Sequence, residues 1–112
     1  MREILGADYP GFAQALQTES PTGIRLNPNK FIPISTAEKI PWTEYGFYLR
    51  ESPSFTSYPL FHAGAYYVQE ASSMFLEQAA RQSLNLSRPI IALDLCAAPG
   101  GKSTHLASLL SE

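Results

Sequence analysis

A glycine-rich turn near the end of the sequence has the composition of an anion-binding site. It consists of Gly100 and Gly101, followed directly by Lys102 and Ser103. The two glycines let the backbone approach a ligand without an intervening Cβ, while Lys102 adds a positive charge and Ser103 a hydroxyl. Free N–H groups at the start of a following helix favour a carboxylate or a phosphate. The turn is therefore predicted to bind the anionic part of a ligand.

Two common nucleotide motifs fit this turn poorly. A P-loop requires G-x-x-x-x-G-K-[ST], and Cys96 stands where its first glycine is needed. A dinucleotide fingerprint requires G-x-G-x-x-G, which Pro99 and the adjoining glycine pair do not supply. A nucleoside triphosphate is therefore the disfavoured ligand.

The segments on either side of the turn predict a strand and a helix. Residues 90–95 are apolar on both faces, as in an inner strand of a parallel sheet. From about Lys102 onward, Leu106, Leu109 and Leu110 recur at helical spacing on one stripe. Together they form the first half of a βαβ unit, whose ligand is expected at the carboxyl end of the strand.

Three segments resemble one enzyme family. Residues 94–103 are similar to the first nucleotide-binding motif of the NOL1/NOP2/Sun family of S-adenosylmethionine-dependent RNA cytosine-5 methyltransferases, D-x-C/A-A-A-P-G-G/S-K-T/S. Residues 64–74 resemble its G-x-x-Y-x-Q-E-x-S-S segment, and residues 24–30 its R-V/L-N-x-x-K strand. The motifs stand in the family's order, and the resemblance is to its bacterial RsmF-like ribosomal RNA methyltransferases.

The resemblance implies an α/β fold, or α+β for this stretch alone. A small accessory region of helix and β-structure, similar to an RNA-binding region, is expected over residues 1–58. The first helix, strand and helix of a Rossmann-like methyltransferase domain are expected over residues 59–112. The boundary falls in a stretch rich in serine and proline that has no periodicity.

S-adenosylmethionine is the cofactor that the resemblance implies. The residues expected to bind it are Cys96, Ala97, Ala98, Pro99, Gly100, Gly101 and Lys102. Asp94 is expected to fix the loop or to accept from the cofactor's amino group. Gln69 and Glu70 are expected to support the floor of the pocket; alternatively, they only satisfy free N–H groups in the first turn of a helix.

No catalytic residue is expected within the 112 residues. In the family the attacking cysteine belongs to a Thr-Cys motif and a second cysteine to a Pro-Cys motif, and both are expected downstream of Glu112. This sequence has one cysteine, Cys96, inside the cofactor motif. The chain by itself is predicted to be inactive.

Cys96 has two possible interpretations. Free cysteine is among the most buried residue types, so Cys96 is expected to be buried at the strand end. The alternative is a nucleophilic thiol with a pKa lowered by Lys102.

The charge balance predicts weak affinity for RNA from this chain alone. Ten acidic and eight basic residues give a net charge of −2. Arg25 and Lys30, which fall in the family's R-x-N-x-x-K pattern, are the candidates for contacts with RNA, which the resemblance identifies as ribosomal RNA. Five aromatic residues either stack on bases or form the core of a small β-rich region: Phe31, Trp42, Tyr45, Phe47 and Tyr48.

Local patterns predict the remaining elements. The sequence predicts a helix over residues 9–17 capped by Asp8, and strands over residues 24–27, 40–42 and 46–51. A second helix is expected over residues 69–83. Its apolar face is predicted to contain Met74, Phe75, Gln78, Ala79 and Gln82. The two histidines lack metal-ligand spacing, so no metal is expected, and His105 is expected on the helix surface.

The overall class is a soluble, cytoplasmic protein. The sequence has no apolar run of about 18 residues and no signal-peptide pattern. An unpaired edge beside residues 90–95 predicts self-association. A non-catalytic RNA-binding or assembly module with a partial nucleotide site is the alternative function.

Overall fold

The computed structural model describes residues 1–30, 37–50 and 54–110. The α-helices are α1 (Arg2–Leu5), α2 (Tyr9–Ala15), α3 (Pro59–His62), α4 (Leu76–Ser83) and α5 (Gly101–Leu109). The strands are β1 (Thr22–Leu26), β2 (Glu38–Lys39), β3 (Gly46–Leu49) and β4 (Tyr66–Val68). Short 3₁₀ turns occupy Gly6–Asp8, Phe55–Ser57 and Ser72–Phe75. The mixture of helix and strand is as predicted.

The four strands form one antiparallel sheet in the order β2-β3-β1-β4. β1 lies inside the sheet, where Ile24 pairs with Phe47 on one side and with Val68 on the other. Gly23, Ile24 and Arg25 are buried there. β4 lies after the predicted boundary at residue 58, and β1 lies before it. Because the two strands pair, the sheet contains strands from both sides of that boundary.

β4 itself was not predicted. Its three residues, Tyr66, Tyr67 and Val68, are of the aromatic and β-branched types that favour strands. The run is short and is followed directly by the Gln69-Glu70 pair, at which the sequence predicts the start of a helix. The helical pattern therefore obscured the strand. The predicted helix instead begins as a 3₁₀ turn at Ser72 and becomes α-helical at Leu76.

The buried face of α4 differs from the predicted one. Met74, Glu77 and Ala80, spaced three residues apart, are buried, whereas Phe75 is 56 % exposed. The predicted face was right for Met74, which is buried, and Gln78 is half-buried; it was wrong for the exposed Phe75, Ala79 and Gln82. It also omitted Glu77, because a charged residue was not expected on the buried side.

The strand predicted over residues 90–95 is absent. These residues have no regular secondary structure, and Ile91, Leu93 and Leu95 are 103 %, 83 % and 85 % exposed. A strand needs a hydrogen-bonded neighbour, and no strand among residues 1–30, 37–50 and 54–110 pairs with this segment. The expected parallel arrangement is therefore not formed by the part of the chain that is described.

The other elements follow the predictions with local differences. The helix at residues 9–15, the strand at residues 22–26 and the strand at residues 46–49 are confirmed, although Asp8 makes no capping hydrogen bond. The strand expected at residues 40–42 was wrong: Pro41 lacks the N–H that a ladder needs, and a turn closes there, with Thr43 N donating to Ile40 O at 3.4 Å.

Some predictions fall on residues outside the described ranges. Phe31, from the predicted aromatic group, and Glu51, from the predicted third strand, belong to this set. Glu112, beyond which the catalytic cysteines are expected, also lies outside the described residues. Within the described ranges, no helix is long and apolar enough to cross a membrane.

Candidate cofactor site

The glycine turn has the geometry expected of a ligand-binding loop. Gly100 is in the left-handed region, with φ +102°, and α5 begins at the next residue. The first N–H groups of a helix have no acceptor within it. A Cβ added at Gly100 would meet no atom within 4 Å, so the side of the backbone where a side chain would stand is open.

Asp94 fixes this loop to the first turn of α5. Its Oδ1 accepts from the backbone N–H of Cys96 at 2.9 Å, and its Oδ2 accepts from Ser103 Oγ at 2.6 Å. The Ser103 hydrogen bond, with help from the Cys96 N–H and the Lys102 charge, lowers the pKa of Asp94 below its usual range. Asp94 is thus a carboxylate at neutral pH that connects Cys96 to Ser103; its role toward a cofactor stays a prediction.

Tyr67 on β4 packs against the other side of the turn. Its hydroxyl donates to Pro99 O at 3.2 Å, and a Cβ added at Gly101 would lie 3.2 Å from Tyr67 Cε1. Glycine at position 101 therefore permits the helix start to lie directly on the tyrosine ring.

A cavity of about 230 Å³ separates this loop from the end of β4. It is lined by Tyr67, Val68, Gln69, Glu70, Ser73 and residues 96–102. The structure thus brings together the seven loop residues expected to bind the cofactor and the Gln69-Glu70 pair. Pockets that enclose a drug-sized ligand are roughly 300–1,000 Å³, so these residues form part of such a site and can surround one end of a larger ligand.

Gln69 is the most informative polar residue of this cavity wall. It is 7 % exposed, and its Oε1 accepts from Arg25 Nε at 3.0 Å. Its Nε2 is buried and has no hydrogen-bond partner among the described residues. Glu70, by contrast, is exposed and its carboxylate accepts from Ser72 Oγ at 2.6 Å. The open helix N–H groups suit an acceptor such as a carboxylate.

Arg25 is placed differently from what an RNA contact requires. It is 4 % exposed, and its Nη2 donates to Thr104 Oγ1 at 2.6 Å and to Gly101 O at 3.4 Å. The guanidinium therefore faces the start of α5 and is not presented to an external phosphate. Lys30 is exposed, and its Nζ donates to Ala63 O; its contact with RNA stays a prediction.

Cys96 is exposed, and the prediction of a buried cysteine was wrong. The prediction relied on a covered strand over residues 90–95, and that strand is not formed. Lys102 is also exposed, so both side chains face the solvent at the rim of the turn.

Of the predicted aromatic group, Trp42 is half-buried and donates from Nε1 to Ala71 O at 2.7 Å.

A buried Glu–His pair behind the site was missed by the sequence analysis. Glu77 is 2 % exposed and His105 is 1 % exposed, and His105 Nε2 lies 3.2 Å from Glu77 Oε2. The prediction that His105 lies on the helix surface was therefore wrong. The available signal was the spacing of Glu77 between Met74 and Ala80, which puts it on the buried stripe.

Three further groups donate to the Glu77 carboxylate. They are Thr43 Oγ1 at 2.7 Å, Glu44 N at 3.1 Å and Arg81 Nε at 2.8 Å. Burial raises the pKa of Glu77, but these hydrogen bonds together outweigh it and the pKa is lowered. Burial also lowers the pKa of His105, and the opposing bond to Glu77 does not reverse the direction. At neutral pH a neutral histidine therefore donates to a carboxylate, which joins α5 to α4.

Family comparison identifies the first 71 residues. They match the family model described as the N-terminal domain of 16S rRNA methyltransferase RsmF. Curated relatives named ribosomal RNA small subunit methyltransferase F include those of Aeromonas salmonicida, 38 % identical over 79 residues, and Shewanella woodyi, 31 % identical over 94 residues. These alignments cover 66 % and 78 % of this chain but 16 % and 20 % of the relatives.

A solved structure is similar over nearly the entire chain. It is the crystal structure of a methyltransferase homolog protein from Pyrococcus horikoshii, with a TM-score of 0.70 and 34 % sequence identity. The match covers 94 % of this chain and 37 % of that protein. The chain thus spans between a sixth and about two fifths of the length of the proteins it resembles.

Proposed function

Because this chain belongs to the RsmF family of 16S rRNA methyltransferases, we propose that it supplies the cofactor-binding loop of an S-adenosylmethionine-dependent rRNA methyltransferase. The observation that supports this most is the cavity between residues 96–102 and the Gln69-Glu70 pair. Its open left-handed glycine and its helix start fit the carboxylate end of the cofactor.

The residues of this chain have distinct tasks in the proposed site. Backbone N–H groups at the start of α5, together with Lys102, would bind the methionine carboxylate. Asp94 would keep the loop closed through its two hydrogen bonds. When bound, the cofactor supplies a methyl group on a sulfonium, which is electrophilic.

The reaction that we propose is methylation of a cytosine at C5 in ribosomal RNA, as in the NOL1/NOP2/Sun enzymes that the motifs resemble. That chemistry uses a cysteine thiolate on the base, in Thr-Cys and Pro-Cys motifs that these 112 residues lack. We therefore propose that this chain binds cofactor and orients it, and that by itself it transfers no methyl group. Incubation with labelled S-adenosylmethionine and 16S rRNA is expected to leave the RNA unlabelled.

Cofactor binding is tested by calorimetric titration of the chain with S-adenosylmethionine. Wild type is expected to bind, and Gly100→Val is expected to weaken affinity by about tenfold or more, equivalent to ~1.4 kcal/mol. The valine Cβ would occupy the open side of the turn. The backbone φ of +102° at position 100 is also strained for a β-branched residue.

Gly6→Val is the matched control for that titration. Gly6 also has a positive φ, +50°, with no atom within 4 Å of an added Cβ, and it lies in the N-terminal helical segment. It therefore imposes backbone strain without touching the cavity. Equal affinity of Gly100→Val and wild type, or equal losses in both variants, would contradict the proposed loop function.

A further inference from the structure

Arg25 occupies an unusual position for a charged residue. It lies in β1, the inner strand, and pairs with Gly46 on β3 and with Tyr67 on β4. Among the described residues, no carboxylate forms an ion pair with it. Burial of an unpaired charge costs several kcal/mol, and an arginine cannot escape that cost by losing its proton. Packing alone does not account for this residue.

The hydrogen bonds of Arg25 converge on both walls of the cofactor cavity. Nε donates to Gln69 Oε1, on the wall formed by the end of β4. On the opposite wall, Nη2 donates to Gly101 O of the glycine turn at 3.4 Å. Nη2 also donates at 2.6 Å to Oγ1 of Thr104, which lies behind that wall, and this hydroxyl donates to Gly100 O at 2.8 Å. One planar guanidinium thus connects the two walls, and Thr104 relays the contact to the turn.

The bond to Gln69 also fixes the orientation of its amide. Since Oε1 faces Arg25, the donor end, Nε2, is the group left without a partner among the described residues. A reversed amide would place two donors, Arg25 Nε and Gln69 Nε2, against each other. Arg25 therefore determines that Gln69 offers a donor and not an acceptor to its surroundings.

From this geometry we propose that Arg25 is a positioning residue of the cofactor site: acting through Thr104 and Gln69, it sets the separation of the two walls and holds the turn at Gly100. The inference relies on the proposed function for the identity of the ligand. The claim that Arg25 restrains residues 100–103 does not depend on the identity of the ligand. It rests only on the hydrogen bonds from this arginine, which lies 76 residues before Gly101 in the chain.

The test combines two substitutions with two measurements. Arg25→Lys keeps the charge but removes the fork that reaches Gln69 and Thr104 together, and Thr104→Val removes the relay with little change in shape. Backbone amide exchange at position 104, whose N–H donates to Gly100 O at 2.9 Å, followed by NMR, reports the restraint of the turn itself. Calorimetric affinity for S-adenosylmethionine reports its consequence. Arg50→Lys and Thr18→Val are the controls, because both residues are exposed and distant from the cavity.

Each single variant is expected to raise amide exchange at position 104 by about tenfold, relative to the intrinsic rate of the residue there, while exchange in β3 is unchanged. Affinity for S-adenosylmethionine should fall about five- to tenfold, and Thr104→Ser should retain both wild-type values. If Arg25 acts through Thr104, the variant that carries both Arg25→Lys and Thr104→Val should show amide exchange little faster than either single variant. The reason is that the effects of two coupled residues do not add.

The outcomes separate the two proposals. Unchanged exchange at position 104 in Thr104→Val, or fully additive effects in the double variant, would overturn the positioning role. A wild-type chain that fails to bind S-adenosylmethionine would overturn the proposed function, and the exchange data would still decide the role of Arg25. If Arg25→Lys fails to fold, comparison of Thr104→Val with Thr104→Ser decides it.

Discussion

Glu77 shows how one buried carboxylate can organise several segments. Its donors come from the turn after β2, from α4 itself and from α5. Hydrogen bonds to a charged group are worth more than neutral ones, and a buried partner left unpaired costs its full desolvation. The residue therefore stabilises the position of α5, and through it the glycine turn at which that helix begins.

Replacement of this carboxylate tests that role. Glu77→Gln places an amide NH₂ among donors, so at least one of Thr43, Glu44, Arg81 or His105 loses its acceptor. The free energy of unfolding is expected to fall on the order of 3 kcal/mol, measured by urea denaturation. Glu44→Gln is the control: its side chain is 56 % exposed and pairs with Arg81 at the surface, where such pairs contribute about 0–1 kcal/mol. Equal losses in both variants would contradict a special role for Glu77.

At the scale of single residues, the sequence predicted the loop better than its supports. Gly100 was identified because turns have local signatures, and Asp94 because it falls in the motif that resembles the family's. Arg25 was predicted to contact RNA and His105 to lie on the helix surface, because charged and polar residues are usually exposed. Their actual partners, Thr104 and Glu77, are 79 and 28 residues away, and a local pattern contains no information about such distant acceptors.

At the scale of elements, the contact between α4 and α5 should be sensitive to acid. His105 is neutral in the folded chain because burial lowers its pKa; the nearby Arg25 and Arg81 charges act in the same direction, and Glu77 opposes them. The unfolded chain has a histidine pKa of about 6.5, so it binds the proton first as pH falls. Stability is therefore expected to decline below pH ~6.5. It should decline again below pH ~4.3, because the lowered pKa of Glu77 in the folded chain means that the unfolded chain binds that proton first as well.

Urea denaturation midpoints between pH 5 and pH 7.5 measure this dependence. His105→Gln should flatten the profile between pH 5 and 6.5, whereas His62→Gln, at a position outside the core, should preserve the slope. A wild-type profile that rises on acidification would show that His105 gains its proton more easily in the folded state, contrary to the direction that its burial imposes.

The elements that the sequence predicted least well depend on pairing. Residues 90–95 have the apolar composition of an inner strand, yet a strand exists only beside another strand, and composition does not supply the neighbour. Tyr66–Val68 is the opposite case, because it is short and weakly patterned but finds a partner in β1. Of the helices, whose hydrogen bonds are local, those at residues 9–15, 76–83 and 101–109 were predicted, whereas the four-residue helices α1 and α3 were not.

At the scale of the whole molecule, residues 90–95 leave an exposed apolar stripe. Ile91, Leu93 and Leu95 alternate along it with large exposures, and alternating apolar residues on an unpaired backbone are a template for strand addition. The chain is expected to self-associate at micromolar concentration, as measured by analytical ultracentrifugation. Leu93→Lys should shift it toward monomer, and Leu16→Lys, on an exposed residue of the N-terminal segment, should not. A monomeric wild type would contradict the expectation.

The bridge from Arg25 to Gln69 and Thr104 also limits how such chains can be recombined. In a chimera that joins residues 1–58 of one relative to residues 59–112 of another, the arginine would come from one parent and both of its acceptors from the other. A second parent without Gln69 or Thr104 would leave the guanidinium short of an acceptor, and a first parent without Arg25 would leave both acceptors without their donor. The unit of exchange is therefore the sheet together with the glycine turn, and a successful crossover must keep both from one parent.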